Sequence, residues 1–153
     1  MDTVTRRTGR VLPIHRARVL LIRGGDPGRP DAGEWWFTVG GGCELAESPA
    51  EAARREAFEE AGLVLPTDLG PVVLRREADF EFDGEWLQQT EEYYLCEVDS
   101  DVLTDAGWNE LEQRVFTAQR WWSIDELRTT TEVVFPSDLA DVLTRLDDPD
   151  ESP

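Results

Sequence analysis

Residues 40–63 read GGGCELAESPAEAARREAFEEAGL, and the interpretation of this stretch decides the fold. Ser48 followed by Glu51 forms a capping box, Pro49 suits the first helical position, and Gly62 supplies a C-terminal stop. The pattern predicts a helix from Pro49 to Ala61. Glu56, Glu59 and Glu60 then stand at i, i+3 and i+4, so their carboxylates share one face within a turn. Ala53, Ala57 and Phe58 are expected on the side that packs on a sheet. Like charges this close repel, and the plain alternative is an ordinary solvated acidic face.

The glycines in front of the helix change that balance. Gly40, Gly41 and Gly42 carry no side chains to block close approach, so their carbonyls can be aimed at a cation. Carboxylates plus a carbonyl make an all-oxygen site, which suits Mg2+ or Mn2+ and does not suit zinc. Arg55 lies four residues from both Glu51 and Glu59 and can hold a carboxylate along the helix, or form a simple surface ion pair.

Working outward, Ala17 to Arg23 reads as a strand followed by a Gly- and Pro-rich loop, Gly24 to Glu34. Trp35 to Val39 reads as a second strand. Val72 to Arg76 and Asp79 to Phe82 look extended, and Asp83-Gly84 signals a hairpin whose return strand runs to about Glu97. Asp99 to Glu110 reads as a polar loop. Arg120-Trp121-Trp122 is a short strand leading into a second capping box, Ser123 with Glu126. Leu139, Val142, Leu143 and Leu146 have helical spacing behind Ser137 as cap. Strands and helices alternate irregularly, which indicates a mixed sheet with flanking helices, not a doubly wound parallel one.

The 153 residues suit one domain, expected over 10–146, with a polar tail at 1–9 and an acidic one at 147–153. The chain has 33 acidic and 15 basic side chains, every base an arginine, for a net charge of −18. That field opposes a nucleic-acid polymer as partner, so an anionic substrate should be small and accompanied by cations. His15 is the single histidine, and Cys43 and Cys96 match no zinc spacing, which excludes His-dependent triads and His or Cys metal sites. No apolar run reaches membrane-span length and the opening MDTVTRRTGR has no signal-like stretch. A cytoplasmic protein that does not engage membranes is the expectation.

From Gly41 to Leu63 the fixed residues resemble the Nudix box in full: Gly41, Glu47, Arg55-Glu56-Ala57, Glu59-Glu60, Gly62 and Leu63 at the family's spacing. The resemblance implies an α+β fold, a Nudix-like α/β/α sandwich with a mixed β-sheet flanked by helices. It extends to Trp36 and to Arg120-Trp121-Trp122-Ser123 leading into Asp125-Glu126-Leu127. It also implies divalent-metal-dependent hydrolysis of a pyrophosphate bond in a nucleoside diphosphate derivative or nucleoside triphosphate. The rival is a non-catalytic nucleotide-binding or regulatory module on the same fold.

Carried onto this chain, the resemblance makes Glu56 and Glu60 metal ligands and Glu59 a further ligand or the base. Arg55 orients a neighbouring glutamate, and the carbonyl of Gly40 or Gly41 completes the coordination. Glu47 has a structural part near the loop. Family members often recruit one more carboxylate from outside the box; Glu112 is the first candidate, with Glu110, Glu91 and Glu92 as alternatives. Val39 stands where many members have proline, and Cys43 where an apolar residue is usual. Homodimers are frequent in the family, but the sequence itself does not decide whether this chain forms one.

Substrate markers are mostly negative. Ala78 and Asp79 stand where the ADP-ribose subgroup has proline, and Phe80 and Glu81 where many dinucleoside polyphosphate hydrolases have tyrosine. The motif for NADH hydrolysis is absent, which leaves a housecleaning nucleotide pyrophosphatase of the MutT-like kind. Trp36 and Phe80, with Trp35, Phe82 and Trp86, are candidates for stacking on a base.

Overall fold

In the computed structural model, which describes residues 3–147, the helix expected from the capping box runs over Pro49–Ala61 (α1). The Ser48 hydroxyl accepts from the Glu51 N–H and the Glu51 carboxylate accepts from the Ser48 N–H. Gly62 ends the helix in the left-handed region at φ 75°, its N–H returning to the Ala57 and Phe58 carbonyls. Both ends of α1 are therefore held by local signals.

Around it lie β1 (Thr3–His15), β2 (Arg18–Gly25), β3 (Glu34–Gly42), β4 (Leu74–Phe82) and β5 (Glu85–Glu97). They are followed by α2 (Glu110–Val115), β6 (Phe116–Ser123), α3 (Ile124–Thr129), β7 (Val134–Phe135) and α4 (Leu139–Asp147). The seven strands form one mixed sheet in the order β4-β5-β1-β2-β3-β7, with β6 on β2. β1 runs parallel to β5 from Thr3 opposite Trp86 to Ile14 opposite Glu97, and its middle also pairs antiparallel with β3 through Thr8 to Val11. One strand thus contacts three neighbours, which curls the sheet.

Side chains alternate strictly between the two faces, as a strand period of two requires. Val11, Leu20, Ile22, Val39 and Tyr94 meet Ala53, Ala57 and Ala61 of α1. Leu12, Val19, Leu21, Trp36 and Trp122 meet Leu139 and Leu143 of α4, with Leu127 of α3 alongside. The sheet is covered on both faces, which is the expected α/β/α sandwich. Gly9 is what lets α1 lie so close, because a Cβ there would run into the Pro49 carbonyl.

Several expectations are corrected. Residues 3–9 are not a tail but the first half of β1, since their backbone groups pair with Trp86 to Glu92. The acidic tail lies outside the described residues beyond Asp147, which ends α4. Phe58 faces out, 58% exposed; the close packing of α1 is done by alanines instead. The supposed loop runs into α2, capped by Asn109 with Glu112 as the reciprocal partner. α4 begins at Leu139, later than a Ser137 cap would place it.

Two tight turns set the rim of the site. Asp83 and Gly84 adopt positive φ of 50° and 81° in the β4–β5 hairpin, as Asp-Gly predicts. The buried Asp26 carboxylate accepts from the Gly28 and Asp83 N–H groups, each at 2.8 Å, and so ties the β2–β3 loop to that hairpin.

Candidate active site

The last turns of α1 carry Glu56, Glu59 and Glu60 beside the C-terminal end of β3. Glu60 is 1% exposed, and its carboxylate accepts the Gly40 N–H at 2.8 Å. Glu56 lies against Gly41, where a Cβ would come within 2.9 Å of the Glu56 carboxyl carbon, so the glycine leaves the space this side chain fills. Glu112 enters from the first turn of α2. Carboxylate oxygens of Glu56, Glu60 and Glu112 all lie within 4.8 Å of one another.

Three carboxylates gathered this closely are mutually unfavourable, and their protonation reflects it. Burial, with Glu112 and Glu59 nearby, pushes Glu56 up to about 7. Burial and the adjacent Glu56 push Glu60 well above the usual carboxylate range. Burial and Glu59 also raise Glu112. A cluster whose carboxylates disfavour each other's ionisation and that offers only oxygen donors fits a hard divalent cation, which would remove the repulsion.

Arg55 orders the rim of this cluster. Its Nε and Nη2 donate to both Glu47 oxygens at 2.9 Å, its Nη1 to Glu56 at 2.6 Å and Glu59 at 3.2 Å, and its Nη2 to the Gly42 carbonyl at 3.0 Å. The paired fork to Glu47 raises the guanidinium pKa and holds Glu47 below the usual range. Glu47 therefore anchors Arg55, and Arg55 orients Glu56 and Glu59. Glu59 is more open and stays outside the three-carboxylate cluster.

The other candidates separate clearly. Glu91 is buried in an ion pair with Arg10 at 2.8 Å, and Glu92 accepts from the Tyr94 hydroxyl. Neither these nor Glu110 belongs to the cluster. Trp36 is corrected as a stacking surface: it is 5% exposed, edge-on to Trp122 at 5.1 Å, and its Nε1 donates to Glu132. Phe80 does not line the cavity over the carboxylates; Phe82 and Phe116 do. That cavity is about 560 Å³.

Two residues of this region had no sequence expectation. Arg10 donates to the Thr38 and Gly40 carbonyls behind the glycine loop. Arg6 lines the cavity itself. The Asn109-to-Glu112 spacing is a capping box that would have revealed α2, and with it the direction from which Glu112 approaches.

A model of the NUDIX domain matches residues 5–143. Among solved structures, a MutT NUDIX hydrolase from Burkholderia pseudomallei is similar at 20% identity and a TM-score of 0.65, over 90% of this chain and 95% of that one. A MutT protein from Methanosarcina mazei Go1 shares 21% identity at a TM-score of 0.64, over 99% of each chain. At this identity the likeness is one of fold. An octanoyltransferase of Myxococcus xanthus is 50% identical over 50 residues, which is 33% of this chain. The chain spans only 13% of that protein's length.

Proposed function

The chain belongs to the NUDIX domain family of pyrophosphohydrolases, and from that premise we propose that it hydrolyses a small nucleotide derivative in a divalent-metal-dependent reaction. The bond cut is the pyrophosphate bond of a nucleoside diphosphate derivative or a nucleoside triphosphate, as in housecleaning enzymes. The observation that carries this reading is the convergence of Glu56, Glu60 and Glu112 within 4.8 Å, the first and last of them lining a cavity bordered by Arg55 and two phenylalanines and Glu60 buried behind it.

In this reading Glu56, Glu60 and Glu112 hold Mg2+ or Mn2+, with the Gly41 carbonyl as an added oxygen donor. Bound there, the ion supplies charge neutralisation at the phosphoryl oxygens and a lowered pKa for a coordinated water. Glu59 is a further ligand or the base, and its carboxylate, turned toward the cavity and steadied by Arg55, can accept the water proton. Arg55 keeps Glu56 and Glu59 in place through the fork anchored on Glu47. Phe82 and Phe116 give the cavity an apolar wall that suits a base or excludes water from the reacting bond.

No helix among the described residues is long and apolar enough to cross a membrane. The reading takes the cytoplasm as its setting, and Cys43 and Cys96 are both free thiols in keeping with a reducing compartment.

The test is a panel of nucleoside triphosphates, nucleotide sugars, ADP-ribose and dinucleoside polyphosphates, each with Mg2+, with Mn2+ and with chelator. Release of phosphate or pyrophosphate from at least one compound, abolished by chelator, is expected. Metal-dependent binding of a compound with no turnover of any would make the chain a non-catalytic nucleotide-binding module.

A further inference from the structure

The cavity over the carboxylates is lined by two arginines, and they are in opposite situations. Arg55 has its donors committed to Glu47, Glu56, Glu59 and the Gly42 carbonyl. The Arg6 side chain has one hydrogen bond among the described residues, from its Nε to the Gln89 side-chain carbonyl at 2.7 Å. Its two Nη groups have no hydrogen-bond or ion-pair partner among the described residues, in a protein with 33 acids to choose from.

The position is built, not incidental. Gln89 is 4% exposed and is itself held by Glu91, so the Nε end of Arg6 is fixed by a buried network. The guanidinium lies along the backbone of Gly42, where a Cβ would come within 3.3 Å of Nη1. Burial and the neighbouring Arg10 lower the Arg6 pKa, with Glu91, Glu56 and Glu85 pulling the other way. Arg6 also lines a second cavity of about 790 Å³, and the two share Arg6, Cys43 and Glu44. Its free fork therefore stands at the junction of the two spaces.

We propose that Arg6 is a substrate-binding residue whose free Nη fork takes the nonbridging oxygens of a phosphate group, at the junction of the two cavities. A planar guanidinium with two adjacent open N–H groups matches phosphate oxygens in a way a lysine ammonium does not. On a chain of net charge −18 such a fork also adds a local attraction for a polyanionic substrate beside the carboxylates. The assignment rests on the pyrophosphohydrolase reading for its role in turnover, but phosphate capture can be measured without turnover.

The experiment titrates inorganic pyrophosphate with Mg2+ into the full chain by calorimetry, for wild type, Arg6→Gln and Arg6→Lys. Arg6→Gln should bind about tenfold more weakly or worse, with Arg6→Lys in between because it keeps charge and loses the fork. If Arg6→Gln does not fold, a loss of about threefold or more in Arg6→Lys carries the same conclusion. Affinity unchanged in the folded variants, or no pyrophosphate binding by wild type, overturns the assignment. On any nucleotide that wild type turns over, Arg6→Gln should raise KM about tenfold with kcat little changed; a fall in kcat at constant KM also overturns it. A wild type that binds pyrophosphate through Arg6 yet hydrolyses nothing would sink the enzymatic reading alone.

Discussion

The Glu60 carboxylate accepts the Gly40 backbone N–H at 2.8 Å, linking the penultimate residue of α1 to the glycine end of β3. That bond aligns the helix with the loop that precedes it and holds a buried acid beside Glu56. The cost of this arrangement without metal, and its use with metal, lead to the expected outcomes below.

Glu60→Gln keeps the volume and can still accept from Gly40, but removes one charge from the cluster. Turnover of any substrate should fall by about two to three orders of magnitude or more, as for other groups that stabilise charge at a reacting centre. The metal-free variant should melt no lower than wild type, because repulsion with Glu56 is relieved. Steady-state kinetics and thermal melts in chelator check both halves.

Metal-free stability should fall as pH rises. Glu56 has a folded pKa of about 7, above its unfolded value, so the folded state binds more protons through the interval between them. Its contribution is present at pH 4.5 and is lost by pH 8, with a slope of about 1.4 kcal/mol per pH unit for each proton involved. Melts in chelator across this range should show the decline, millimolar Mg2+ should reverse it at pH 8, and Glu56→Gln should make it shallower, with Glu60 and Glu112 keeping the remainder.

Arg55→Lys should behave as a loss, not a conservative change. One ammonium cannot serve Glu47 bidentately while also reaching Glu56, Glu59 and the Gly42 carbonyl. A fall of about 10–100-fold in activity or metal affinity is expected, the usual effect of losing a group that orients ligands. Calorimetric metal titration and kinetics on the same preparation check it.

Gly9→Ala tests the close approach of α1 to the sheet. The added methyl meets the Pro49 carbonyl, a backbone atom that cannot turn aside, so α1 must shift. A destabilisation of about 1–3 kcal/mol is expected from overpacking, read as a lower denaturation midpoint.

Legibility of the chain followed the range of the interactions involved. α1 was readable from end to end because Ser48, Pro49, Glu51 and Gly62 act within a few residues of themselves. The carboxylate face of α1 followed from spacing alone. Residues 3–9 were not readable as a strand, because their partners in β5 lie far along the chain and a half-buried edge such as Thr3 to Arg7 carries little apolar alternation. Arg6 and Arg10 share that obscurity, since nothing local distinguishes a cavity arginine from a surface one. Trp36 was misjudged because an aromatic beside the glycine loop can face either side of β3; in the fold it faces Trp122. Glu112 follows from the family resemblance, while the local signal that places it is its capping box with Asn109.

In the proposed reading Glu56, Glu60 and Glu112 together hold a divalent cation. The most direct test is Mn2+ titration of the full chain, followed by electron paramagnetic resonance of free Mn2+, in wild type, Glu56→Gln, Glu60→Gln and Glu112→Gln. The account predicts saturable binding by wild type and a loss of about tenfold or more in affinity in each variant. Absence of binding by wild type, or affinity unchanged when any of these carboxylates is removed, would contradict it.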